Sequence, residues 1–234
     1  KWSKRETLFL PARFIPLYEG ERVICLWDLF VFETVWAVWQ NWKRQGIDPH
    51  ISSNFSRVTL MASDIVTQIK QICRKYEVPA EKITIEVTES ISKLDPQQLI
   101  DLMNQIVAEG FSVSLDDFGS KYSNLSILTT LDFNEIKFDK SLVDKLSSDA
   151  KSRIVMKNTM QICRELPMTR SLAEGIETVE QLDLLHQYHC DYGQGYYFAK
   201  PMSAESFLAL LKKEQMLGTS VWIQSGHDGT DKME

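Results

Sequence analysis

The chain has 234 residues, 44% of them apolar and 25% charged, enough to bury a large core in one α/β barrel or two small domains. Its net charge of −6, with no sustained basic stripe, argues against binding a nucleic-acid polymer. Four scattered cysteines, Cys25, Cys73, Cys163 and Cys190, contain no CxxC pair and point to a reducing compartment instead of a disulfide framework.

The longest apolar stretch, VICLWDLFVFETVWAVW, carries Asp28 and Glu33, which excludes a membrane span. Residues 28–45 place Trp and Phe at helical spacing and end at Gly46. Trp27, Trp36, Trp39 and Trp42 on that helix are read as packing a barrel exterior or a domain interface, with a ligand shelf as the other option. HISSNFS then reads as a strand, 62–76 as a helix, KITIEVTES as a strand and 95–109 as a helix. FSVSLDD and NEIKFD follow as strands, 151–165 as a helix and SLAEGIE as a strand. The series closes with a helix over 178–188, a strand at GYYFA and a helix over 203–215, the two helices opening on Thr178 and Ser203 as N-caps. Such alternation argues for parallel βα units. Periodicity fades near residue 217, so the expected organisation is one domain over 1–216 and a disordered or appended tail over 217–234. No secretory leader pattern opens the sequence, and a cytoplasmic domain is expected, including one tethered to a membrane by other segments.

Strand parity gives the next inference. In KITIEVTES, Thr84, Glu86 and Thr88 share one face and Ile83, Ile85 and Val87 the other. In FSVSLDD, Ser112, Ser114 and Asp116 oppose Phe111, Val113 and Leu115; Ser52 aligns with Asn54, and Lys137 with Asp139. Each strand thus has an apolar face for packing helices and a polar face ending in a residue able to bind metal or phosphate. Such residues gather where a barrel or open α/β sheet keeps its site, at the carboxyl ends of strands. About six strands are visible, whereas a closed (β/α)8 barrel has eight.

Taken singly, each motif is weak. Asp116-Asp117 alone is more often a solvated strand end than a metal site, Glu86 and Glu89 read equally as an acidic helix start, and Lys137 as a neutraliser of neighbouring acids. His186, His189 and Cys190 read as a surface cluster at a helix end. Together, an amide, several carboxylates and a lysine at successive strand ends resemble the EAL family of cyclic-di-GMP phosphodiesterases. The resemblance runs from FIPL (14–17) through NFS (54–56), EVTES (86–90), DDFG (116–119), IKFDKS (136–141), AEGIET (173–178) and QGYYFAKP (194–201).

It implies a (β/α)8 TIM-like barrel with the first one or two strands outside this sequence, and hydrolysis of cyclic-di-GMP to linear pGpG by a water activated between two Mg²⁺ or Mn²⁺ ions. The first ion is held in the family by the E-A-L glutamate and the residues matching Asn54, Glu86 and Asp116. The second shares Asp116 and adds Asp117 and Glu174, while Asp139 matches a further acid. Lys137 matches the lysine near the attacking water and Glu89 the brace of the loop after DDFG. Glu177, Gln194, Pro201 and Lys1 fall at substrate-side positions. A homodimer formed through the barrel and an attached sensory or GGDEF-type domain are likewise implied. The chemistry is coherent: hard oxygen ligands suit Mg²⁺ or Mn²⁺, and cations let Asp116 and Asp117 ionise side by side. Three departures from the family stand out. The E-A-L triplet lies outside the sequence, so the chain alone is expected to have little or no activity. Lys1 replaces an arginine, losing bidentate phosphate contact. Lys121-Tyr-Ser-Asn124 replaces Gly-Tyr-Ser-Ser, removing a permissive glycine. The alternative is a catalytically silent receptor of the same dinucleotide.

Overall fold

The computed structural model of the protein describes residues 2–4, 7–9, 15, 17–18, 23–88, 91, 95–120 and 125–217. Lys1, Glu89, the loop 121–124 and the tail beyond 217 lie outside the described residues. The chain divides into two compact units, residues 1–113 and 114–234.

The first unit opens with an antiparallel pair, β1 (Trp2–Lys4) and β2 (Thr7–Phe9), in the register Trp2↔Phe9, which the periodicity of the sequence does not announce. Helix α1 (Ile24–Lys43) starts earlier than predicted, because its N-cap position, Val23, offers no side-chain cap to mark it. Trp36 and Trp39 are wholly buried and Trp42 nearly so. Edge-to-face contacts run from Phe32 to Trp36 and on to Trp39, and the Trp39 indole N–H donates to the carbonyl of Pro49 at 3.1 Å. These tryptophans are core, not a shelf. Strand β3 (Ile51–Asn54) leads through Ser56 into the one-turn helix α2 (Arg57–Leu60), then α3 (Ile65–Tyr76), β4 (Ile83–Thr88) and α4 (Pro96–Ala108). Asp95 caps α4 from its side chain, with Pro96 pre-set at the first helical position. Strands β3 and β4 are parallel, pairing Ile51 with Ile83 and Asn54 with Glu86.

Strand β5 (Ser112–Phe118) carries the chain into the second unit, followed by β6 (Glu135–Phe138), α5 (Lys140–Val143), α6 (Ala150–Glu165), β7 (Arg170–Ala173), α7 (Val179–Gln187), β8 (Tyr192–Gly193) and α8 (Ala204–Leu217). Pairing is parallel throughout: Ser114 opposite Glu135, Lys137 opposite Leu172, Ala173 opposite Gly193. Helix α7 begins with a capping box in which Thr178 and Gln181 satisfy each other's backbone N–H.

The parallel α/β architecture is as expected, with strand order β3-β4-β5-β6-β7-β8, but these six strands are not a closed barrel. One predicted element is wrong. GYYFA is a turn, and the last strand lies just before it at Tyr192–Gly193. A Cβ on Gly195 would collide with the backbone of Ile176, so the chain crosses closely there and bends. Tyr197 N–H donates to the Ile176 carbonyl, and Phe198 and Ala199 N–H to that of Gly195. Polar strand faces are buried in both units: Thr84 and Glu86 on β4, Ser114 and Asp116 on β5.

Candidate active site

At the end of β5 the side chains break the expected alternation. The β5–β6 register slips between Leu115 and Phe118, and Asp117 takes a left-handed backbone with φ of +58°. Aspartate tolerates that conformation better than most residues. Gly119 follows at φ +93°, where a Cβ would strike the Leu142 side chain. In a regular pleat Asp116 and Asp117 would face opposite ways. With the slip, ligand oxygens of Asp116, Asp117 and Glu174 all lie within 4.8 Å of one another.

Lys137 comes from β6, Glu174 from the residue after β7. The lysine Nζ lies 2.8 Å from Asp116 Oδ1 and 2.8 Å from Glu174 Oε1. Lys137 is 5% exposed and Asp116 8%, so this ion pair is buried, with Glu174 half-buried and Asp117 exposed at its edge. A buried ion pair persists only if its charges are closely compensated, and one ammonium against three carboxylates leaves negative charge in excess. Gln194, after β8, donates from Nε2 to the same Glu174 Oε1 at 2.7 Å, giving that oxygen a second donor beside Lys137.

Two residues before Lys137 on the same strand, Glu135 accepts a hydrogen bond from Ser114 Oγ at 3.1 Å. Burial pushes its carboxyl above the usual range, opposed by the Ser114 bond and the positive charge of Lys137. Glu177 pairs with Lys140 at 2.8 Å, and the same ammonium reaches Asp144 at 2.9 Å. Those bonds, that to Glu177 first, raise the Lys140 pKa. Gln181 Oε1 accepts from the backbone N–H of Glu177 at 2.8 Å and of Thr178 at 3.0 Å, holding the loop between β7 and α7. Parity singled out neither Glu135 nor Lys140. Only the position of Lys140 inside IKFDKS hinted at it, and a pairing with a residue so distant in sequence has no local signal.

Asp139, expected among the acids of the site, caps α5, accepting from Ser141 N–H at 2.9 Å, and lies outside the group of three carboxylates. Pro201 is exposed on the segment leading to α8. His186 and His189 are exposed; Cys190 is buried, its thiol pushed up to about 12 by desolvation. In the first unit, Asn54 and Glu86 are register partners, and the Asn54 amide donates to Glu86 Oε2. Glu86 is buried and Asn54 exposed.

The EAL-domain family model matches residues 1–201. This chain belongs to the EAL family. Its EAL domain is 31% identical over 196 residues to the oxygen sensor protein DosP of Escherichia coli, covering 83% of this chain and 24% of DosP. It is 31% identical over 209 residues to the probable cyclic di-GMP phosphodiesterase PdeB of the same organism, covering 89% of this chain and 39% of PdeB. The structure of the PaMucR phosphodiesterase in complex with c-di-GMP is 27% identical and superposes with a TM-score of 0.81, covering 88% of this chain and 83% of that one. This chain therefore spans well under half the length of either curated relative. Among the described residues of the EAL domain, no helix is long and apolar enough to cross a membrane.

The donor set suits a hard divalent cation. Three carboxylates converge with no sulfur or imidazole among them, which matches Mg²⁺ or Mn²⁺ and not zinc.

Proposed function

We propose that this chain is the catalytic part of a cyclic-di-GMP phosphodiesterase, opening the cyclic dinucleotide to linear pGpG with two Mg²⁺ or Mn²⁺ ions. The observation carrying this reading is the convergence of Asp116, Asp117 and Glu174 around the buried ammonium of Lys137. On family grounds Asn54 and Glu86 are assigned to the first ion, Asp116 to both, and Asp117 and Glu174 to the second, with Asp139 close by. Bound by these residues, the ions would offset the phosphodiester charge and lower the pKa of water.

Lys137 supplies what the carboxylates cannot. Its Nζ carries fixed donors among acceptors, able to orient a water and to meet negative charge developing on phosphate oxygens. Gln194 restrains Glu174 to one rotamer through its amide hydrogen bond. Glu177 is assigned to the substrate side with Gln194, Pro201 and Lys1, and its ion pair with Lys140 must open or be shared when a ligand arrives. Glu89 is assigned to bracing the loop after DDFG.

The complete series of acids from Glu86 onward favours hydrolysis over a silent receptor, because a receptor has no use for every metal ligand. The reading extends to the whole protein. A chain spanning a fraction of its relatives fits one attached to a sensory or GGDEF-type domain, and the homodimer is assigned on family grounds. Four free thiols fit the cytoplasm. The test is to incubate the protein carrying this chain with c-di-GMP and either ion. Linear pGpG is expected; no turnover with Mg²⁺ or Mn²⁺, where the dinucleotide still binds, would sink the hydrolase reading.

A further inference from the structure

Within the first unit, α1 carries a carboxylate where its neighbours bury aromatic rings. Asp28 is 9% exposed on the helix that buries Phe32, Trp36 and Trp39. Removing a carboxylate from water is costly unless hydrogen bonds replace its hydration. Asp28 Oδ2 accepts two: from Ser56 N–H at 2.9 Å and from Thr59 Oγ1 at 2.6 Å. Ser56 is in the turn that follows Asn54, and Thr59 is in the one-turn helix α2 that the turn leads into.

Capping α2 does not explain this arrangement. That helix has its own cap, since Ser56 Oγ accepts from Thr59 N–H at 3.2 Å. The Ser56 N–H gripped by Asp28 lies ahead of the helix, on the strand side. One helical turn beyond Asp28, Phe32 packs against Phe55 with ring centroids 5.4 Å apart. Residues at i and i+4 of α1 thus hold the two residues immediately after Asn54. From β4, the Glu86 carbonyl accepts Phe55 N–H at 3.3 Å. The exit of β3 is clamped by α1 and by β4, and Asn54 sits just before the clamp with its amide on Glu86.

We propose that Asp28 is a positioning residue for Asn54, fixing the turn after β3 so that the Asn54 amide stays beside Glu86 for a shared divalent ion. The inference rests on the assignment of Asn54 and Glu86 as metal ligands. Partners lying behind metal ligands typically change metal affinity by about 10–100-fold when removed.

The test uses the protein carrying this chain, with Mn²⁺ alone as probe: Mn²⁺ affinity, melting in EDTA, and amide hydrogen exchange over residues 54–57. Asp28→Ala is expected to weaken Mn²⁺ binding about tenfold or more and to speed exchange over 54–57. Asp28→Asn, which keeps an acceptor oxygen for Ser56 and Thr59, is expected to restore most of both. Thr59→Val removes one donor, is milder on folding, and is expected to fall between them. A stability control on the same helix, Ile24→Val, should lower the melting temperature and leave Mn²⁺ affinity unchanged. If Asp28→Ala or Thr59→Val melts lower but binds Mn²⁺ as the unsubstituted protein does, Asp28 is merely structural and the proposal falls. Absence of saturable Mn²⁺ binding in the unsubstituted protein would overturn the ligand assignment instead. Exchange over 54–57 then decides the positioning claim, and unchanged exchange in Asp28→Ala overturns it.

Discussion

Replacing Asp116 by asparagine keeps the shape of the side chain and removes one charge from the cluster around Lys137. The cost to the metal-free fold is bounded by the geometry. Breaking a buried ion pair outright costs about 3–5 kcal/mol when the remaining charge is stranded. Lys137 is not stranded, because Glu174 Oε1 remains 2.8 Å from its Nζ and the new amide oxygen can still accept. The loss should therefore be nearer that of one charge-assisted hydrogen bond, about 1.5–3 kcal/mol, partly offset by relief of repulsion from Asp117. Metal binding should suffer far more. At a free ion concentration about 100 times the Kd, binding stabilises the native state by about 2.7 kcal/mol. That raises the melting temperature by roughly 5–10 °C in a domain of this size. Asp116→Asn should abolish that rise and lower pGpG formation by about 10²–10³-fold, in line with losing a fixed electrostatic contact to the reacting group. Melting in EDTA and in saturating Mn²⁺, alongside turnover against Mn²⁺ concentration, measures both. Near-normal turnover, or an undiminished Mn²⁺-dependent rise, would refute the assignment of Asp116 to both ions.

Lys137→Met should also abolish turnover, but with the opposite metal signature. It leaves three clustered carboxylates without their ammonium, so the EDTA melting temperature falls while Mn²⁺ binds more tightly, as calorimetry would show. Because burial raises the Glu135 pKa, the fold favours the protonated acid. That contribution is present below the unfolded pKa and is lost as pH rises through the folded value. Glu135→Gln should therefore raise the melting temperature more at pH 8 than at pH 4, and an equal gain at both would contradict the raised pKa. Gly195→Ala should destabilise strongly and detach Gln194 from Glu174, since the added methyl meets the Ile176 backbone, which cannot rotate away. Circular-dichroism melting and soluble yield are the measurements.

Where the sequence could be read, the reason is regular geometry. The shared faces of Ser52 with Asn54 and of Thr84 with Glu86 follow from a period of two along a strand, and the β3–β4 register sets Ser52 opposite Thr84 and Asn54 opposite Glu86. Helices α3, α4, α6, α7 and α8 were legible because each spans at least two turns of apolar spacing. Helices α2 and α5, four residues each, are too short to show a period. GYYFA has the composition of a strand, and only the close crossing at Ile176, a contact remote in sequence, turns it. The convergence of Asp117, implied by the family resemblance, was illegible from strand alternation alone. It depends on a backbone slip and a positive φ, and alternation predicts the opposite orientation.

That slip sets how densely a strand can supply ligands. A regular strand advances about 3.3 Å per residue, so two side chains on one face start about 6.6 Å apart and consecutive ones face opposite ways. By spending a residue on the bulge, β5 brings two consecutive carboxylates to the same cluster. The number of acids at this point is therefore encoded in the path of the main chain. An aspartate placed at Ser114, two positions back on the same face, would raise the negative charge without recreating the pair. The two residues between Leu115 and Phe118 are the aspartates themselves, so the slip cannot be removed by a deletion there without also removing a carboxylate.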